Sequence, residues 1–357
     1  RVFARGGPLF RPRVQSCPPP AHCVPLACRC SGQMLARQQV SIARSLTAPG
    51  GCSRLKGRGA AAIRATALAP SPCLSEKESK NRYEDLDAAL DSQNGCAVAD
   101  AVAEVWASAE TLIFDRSGRQ LVLRTLALAT PEQIHALARG LRGIMRVAVW
   151  SPHACAVLEK IVQFLSTQDA VECLARQLAG LGPALAFHVN GCQLMCRLIE
   201  YTAADPWTAA LVDEVVGMDV VALCCHKFGR FVAVSILSSG RPEQRSKVVA
   251  ALLSGNLARL ARHRFAAHTV EHALLSEPLD RESRLAVELL RVPGAAASLA
   301  CHPFGVHVVR ALLQLPQAAS QAGGQLFKAQ RRLRKDRYGT QVADELGFTD
   351  LGAGSGG

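Results

Sequence analysis

The stretch Cys225-His226-Lys227-Phe228-Gly229-Arg230-Phe231-Val232 decides the fold, because it returns along the chain. Arg262-His263-Arg264-Phe265-Ala266 and Cys301-His302-Pro303-Phe304-Gly305 repeat its first half, each followed by an apolar run of helical character. The anchor recurs in weaker form at Gly118, Ala154, Gly191 and Gly339, so successive anchors stand 36, 37, 38, 37, 39 and 34 residues apart. A period in this range is the mark of a stacked-repeat architecture, in which no unit can bury its apolar face alone. Seven units follow.

The residues after each anchor test this period. In a helix beginning there, offsets +3, +4, +7 and +8 share one face, and +1, +2, +5 and +6 share the other. On the first face 25 of 28 positions are aliphatic or Met, as in Val157, Leu158, Ile161 and Val162; on the second, 18 of 28 are polar or charged. One face is therefore expected in the core and the other at the surface in every unit. The breaks Thr130-Pro131-Glu132, Ser166-Thr167-Gln168-Asp169, Asp205-Pro206 and Arg241-Pro242-Glu243 carry helix-start signals, with Pro where a first turn tolerates it. Each opens a second amphipathic helix, and a third, short helix before the next anchor completes the unit. Aromatics are only 5% of the chain, and its apolar content is mostly Ala, Leu and Val, which favours close-packed helices over sheet. The expected fold is an all-α solenoid.

Charge divides the chain. Residues 1–75 hold ten Arg and one Lys without an acid, whereas the remainder has 30 basic against 29 acidic residues. The protein therefore reads as a basic leader on a nearly neutral body. An Arg-, Ser- and Ala-rich, acid-free leader has the composition of a transit peptide, which would send the protein to a mitochondrion or plastid; a disordered basic tail on a cytoplasmic protein is the other reading, and Met34 could be the start. Six of the 14 cysteines lie in this leader without a C-x-x-C pair, so no zinc site is expected there; the other eight sit in apolar patterns, as reduced core thiols do. Residues 76–110 read as a linker or a degenerate N-terminal capping repeat, since Asn94-Gly95 echoes an anchor. The array occupies 111–348, and 349–357 form a Gly-rich tail.

Several function classes fall away. No apolar run approaches the roughly 18 residues of a membrane span. Phosphate-loop, dinucleotide-glycine, nucleophile-elbow and H-E-x-x-H signatures are all missing, so the chain reads as a non-enzyme without a cofactor. His268 and His272, four residues apart, share a helix face but lack a third ligand at suitable spacing, and no metal site is expected. His226, His263 and His302, just before the anchors, suit a role in capping or backbone pairing.

A repeat of about 37 residues whose His-x-Phe-Gly or Asp-x-Tyr-Gly element opens a helix of the form x-x-V-V-x-x-L-L resembles the Pumilio (PUF) repeat. His226-Lys227-Phe228-Gly229, His302-Pro303-Phe304-Gly305-Val306-His307-Val308-Val309 and Asp336-Arg337-Tyr338-Gly339 are the best matches. The resemblance implies a right-handed superhelix whose middle helices line a concave face and bind single-stranded RNA, one base per repeat, in post-transcriptional regulation of mRNA or RNA processing. It implies a monomer, with protein partners reserved for the convex face. Offsets +1 and +5 would meet base edges, and +2 would stack between bases. The residues carried over are Arg119 and Gln120; Cys155 and Glu159; Cys192 and Gln193; Arg230 and Phe231; His268 and Glu271; His307 and Arg310; and Thr340 and Gln341. At offset +6, Arg124, Lys160, Arg197 and His272 would meet phosphates.

This chain departs from the family's usual polar triplets. Leu123, Cys196 and Val234 can only pack where a bidentate contact would discriminate by about 1–3 kcal/mol. Only Ala267, His268 and Glu271 come near a familiar triplet, one that would favour guanine. Specificity should therefore be weak or confined to a few positions. The basic run Lys328, Arg331, Arg332, Arg334, Lys335 and Arg337 suits either an RNA grip or a solvated helix face. A HEAT- or armadillo-like scaffold for a protein partner is the competing class.

Overall fold

The computed structural model describes residues 76–164, 174–276 and 283–348, which lie within one compact unit, Pro72–Gly357. The leader, the break at 166–169 and the 349–357 tail fall outside the described residues. Among the described residues all regular structure is helical. No helix is long and apolar enough to cross a membrane. Seven middle helices form the spine: Arg116–Leu128, Pro152–Phe164, Gly191–Thr202, Gly229–Ser239, Ala266–Ser276, Gly305–Gln314 and Arg337–Glu345. Each begins within two residues of its anchor and packs against the middle helix of the next repeat. The outer helices, such as Pro206–Val216, Pro242–Ser254, Arg284–Leu290 and Pro316–Lys328, form a second layer. Short helices such as Val220–Cys225, Leu257–Leu260 and Ala295–Ala300 join the layers.

The start of every middle helix has one cause. Three residues before each anchor a side chain accepts the anchor's backbone N–H: Asp115 (2.8 Å), Ser151 (3.4 Å), His188 (3.3 Å), His226 (3.3 Å), His263 (3.3 Å), His302 (3.4 Å) and Asp336 (2.9 Å). Such an acceptor satisfies a donor that the first turn leaves without an intrahelical partner. In the four histidines the acceptor is Nδ1, which has a free lone pair only in the neutral ring. Burial holds His188, His226 and His302 below the usual histidine pKa and so favours that state.

Packing explains the anchor glycine. A Cβ on Gly229 would stand 2.6 Å from the Leu223 carbonyl oxygen, and one on Gly305 2.5 Å from that of Leu299. Only glycine lets the middle helix come this close to the short helix before it. Of the 28 positions assigned to the core face, Leu313, Leu346 and Gly347 alone are not buried; the first lies near the end of its helix and the other two lie beyond theirs. The buried side chains form one continuous cluster from Leu86 to Ala343.

Hydrogen bonds tie neighbouring outer helices across one repeat length. The buried Gln244 amide donates to the Ala209 carbonyl (2.9 Å) and Gln325 donates to the Leu290 carbonyl (2.9 Å), while Glu214 of an outer helix accepts from the Gly182 N–H (3.0 Å) at the start of the short helix Gly182–Phe187. At the N-terminal end, helices Glu76–Leu90 and Gly95–Ala107 bury Leu86, Leu90, Val102 and Val105. The Trp106 indole donates to the Thr125 hydroxyl (2.9 Å) of the first middle helix. This segment closes the apolar end of the array, as a terminal repeat must.

Candidate nucleic-acid interface

Because the seven middle helices stand side by side, their non-core faces form one row with a position at each offset per repeat. The structure divides the residues assigned there into three groups. The first is withdrawn from the surface. Cys155 and Cys192, at offset +1, are buried, and burial pushes the Cys192 thiol up to about 12 and Cys155 in the same direction. Neither offers an edge to a base: the Cys155 thiol donates to the Asn190 carbonyl and the Cys192 thiol to the Val189 carbonyl, both at 3.3 Å. The Thr340 hydroxyl, also at +1, is 2.9 Å from the Asp336 carbonyl oxygen and within hydrogen-bonding distance of two more carbonyls.

The second group is neutralised within the protein. Arg124 pairs with Asp87 and Asp91 of the N-terminal cap, so it is not a free phosphate ligand. Arg197 bonds Glu200 at 2.6 Å, and Arg310 makes a two-pronged pair with Glu345 at 3.0 and 2.5 Å. These pairs arise because offsets +5 and +6 lie within reach of residues on the same helix, the next one or the N-terminal cap, which repeat periodicity alone does not reveal. Burial lowers the pKa of His272, which leaves it a poor partner for an anion at neutral pH. Lys160 is the exception at this offset: it is exposed, bonds the neutral Gln163 side chain (3.0 Å) and lies 5.7 Å from the centre of the Phe164 ring.

The third group is presented and unspent. Arg230 lies over the Phe231 ring at 4.0 Å and reaches the Phe265 ring at 5.9 Å, while its Nε, like that of Arg119, is buried without a hydrogen-bond partner. His268 approaches Glu271 at 3.7 Å, and that contact holds the carboxylate below its usual pKa. The His268 and His307 rings stand 5.9 Å apart at 34°, so adjacent repeats place two aromatic planes next to each other. Bases stack at about 3.4 Å. A base entering between these rings would therefore have to part them slightly. Gln120, Gln193 and Gln341 are at least partly exposed at the same +2 offset. Glu159 is half-buried, and desolvation raises its pKa.

Two cations escape the helix-offset scheme. Lys227 and Arg264 lie inside the anchors, two residues before Gly229 and Ala266, and each stands 4.5 Å from the centre of the aromatic ring beside it, Phe228 or Phe265. Arg337, from the basic run, occupies the same place over Tyr338 at 5.8 Å. The signal was present in the sequence as a basic residue within the anchor, but an offset count starting after the anchor passes over it. Among the described residues no group of three His, Cys, Asp or Glu could hold a metal ion.

No protein-family model and no curated protein matches the chain. Solved structures do. The Puf4 RNA-binding domain bound to the HO endonuclease RNA 3′ UTR recognition sequence matches with a TM-score of 0.61 at 19% identity, over 73% of this chain and 82% of that one. PUF-8 in complex with PBE-RNA matches with a TM-score of 0.65 at 16% identity, over 74% and 78%. The RNA-binding domain of yeast Puf5p bound to SMX2 RNA matches with a TM-score of 0.56 at 16% identity, over 74% and 79%. The fold is thus that of the Pumilio-type α-solenoid.

Proposed function

We propose that this protein binds single-stranded RNA along its row of middle helices and acts in post-transcriptional regulation of mRNA or RNA processing. The observation that carries the reading is the presentation of Arg230 with Phe231, His268 with Glu271, and His307 by three consecutive middle helices, at one station per repeat. Unpaired RNA exposes both the flat faces and the edges of its bases, and aromatic or guanidinium planes with a carboxylate between them match those two features. The solved domains of the same fold that are described above are bound to RNA, which supports the assignment.

Base reading is concentrated in repeats four to six. Repeats two and three offer buried thiols at offset +1, and repeat one has Leu123 at offset +5, so the motif is short. Glu271 can accept from the Watson–Crick edge of guanine, which makes guanine the expected base at repeat five. Selection by the full chain from a random RNA pool tests the reading. A short enriched motif with one guanine, lost on Glu271→Ala and weakened by Phe231→Ala, is the expected result. Binding of the wild-type chain without any enriched motif would remove base reading, and absence of RNA binding near physiological salt would leave the solenoid as a scaffold for a protein partner.

A further inference from the structure

Three cations on the presented face are already matched: Arg124 by Asp87 and Asp91, Arg197 by Glu200, and Arg310 by Glu345. Lys227, Arg264 and Arg337 are different. All three are exposed, and no carboxylate of the described residues pairs with them. Each instead lies over the ring that follows it in sequence, at 4.5, 4.5 and 5.8 Å. A ring face orients a cation without cancelling its charge, so the full field remains available to an outside anion. The backbone N–H groups at these helix starts are taken by His226, His263 and Asp336, so side chains must supply any grip on an anion.

We propose that the RNA phosphates run along this rim, at the N-terminal ends of the middle helices of repeats four, five and seven, held by Lys227, Arg264 and Arg337 instead of by the offset +6 residues. The inference rests on the RNA-binding reading above and says where the backbone of that RNA lies. Repeat six has Pro303 at the equivalent place, which leaves a gap in the track, and Arg116 stands there in repeat one without a ring beneath it. The +6 stripe offers no comparable track: a phosphate would have to displace a carboxylate from Arg124 or Arg197, burial lowers the pKa of His272, and Lys160 alone among the described residues stands there exposed without a carboxylate partner.

The test is the salt dependence of binding to a fluorescent, random-sequence single-stranded RNA, measured for full-length wild type and the triple variant Lys227→Ala, Arg264→Ala, Arg337→Ala. Each phosphate contact on a single strand contributes roughly 0.7 to the slope of log K against log salt, so losing three should flatten it by about 2. The basic leader is common to both proteins and drops out of the difference. The charge-preserving triple Lys227→Arg, Arg264→Lys, Arg337→Lys should keep the wild-type slope, and Lys160→Ala with Arg197→Ala should leave it unchanged. Circular dichroism confirms that each variant is folded. An unchanged slope in the alanine triple, or a flattening of the same size in the Lys160/Arg197 pair, overturns the rim path while leaving RNA binding intact. Failure of the wild type to bind RNA overturns both.

Discussion

At the scale of single residues, the side chain three positions before each anchor fixes where a middle helix begins, and four of these side chains are histidines that cap through Nδ1. For His188, His226 and His302 the folded-state pKa is depressed, so between that value and the unfolded value near 6.5 the unfolded chain binds more protons. Their contribution is therefore fully present above about pH 6.5 and is lost as pH falls below it. Thermal melts from pH 7.5 to 5.5 should show the midpoint falling through this window. Because Asp115 and Asp336 perform the same capping at the two ends of the array, replacing His226 and His302 by Asp should preserve the fold and flatten that fall. Removing a cap outright, as in His226→Ala, should cost about 1 kcal/mol, read from a denaturant midpoint.

Cysteines provide a second residue-scale check. Burial holds the thiols of Cys155, Cys192, Cys196 and Cys224 well above their usual pKa, and the thiolate is the reactive form. Brief alkylation of the native protein at pH 7.5 followed by peptide mass analysis should label Cys96, which is exposed, and spare these four until denaturant is added. Rapid native labelling of Cys155 or Cys192 would contradict their burial.

At the scale of elements, the contact between a short helix and the next middle helix is the joint of each repeat. Gly305→Val would drive a branched side chain toward a carbonyl already 2.5 Å from the Cβ position, and overpacking of this kind typically costs about 1–3 kcal/mol. Gly323, inside the outer helix Pro316–Lys328, has nothing within 4 Å of its Cβ position. Gly323→Ala should therefore stabilise by about 0.5–1 kcal/mol. Equilibrium unfolding of the two variants measures a packing glycine against a merely permissive one. Equal effects of the same sign would contradict the close approach.

At the scale of the whole molecule, stability in a linear array is shared between neighbouring units, so its open ends matter most. The helices at 76–107 cover the first repeat with Leu86, Leu90, Val102 and Val105 and reach over it through the Arg124 pairs. Deleting residues 1–107 should lower the melting midpoint and promote self-association, as seen by light scattering. Cutting only residues 1–71, which fall outside the described residues, should leave the midpoint within a degree or two of the full chain, a shift corresponding to less than about 1 kcal/mol.

The period of 34 to 39 residues, the all-helical class, the division of each middle helix into core and presented faces, and the anchor His and Gly were all readable from residue order. Each of these depends on contacts within one repeat or on helix periodicity, and both are functions of sequence spacing. The charge state of the interface was not readable. Arg124 meets Asp87 and Asp91 across 37 and 33 residues, and Arg310 meets Glu345 across 35, so their neutralisation appears only when adjacent repeats are stacked. The burial of Cys155 has the same origin, since its thiol donates to the Asn190 carbonyl across 35 residues. The residue order thus determined which face a repeat presents, whereas the stacking of repeats decided which of the presented groups remain free to meet a ligand, because pairing and desolvation depend on distances that a linear pattern does not contain.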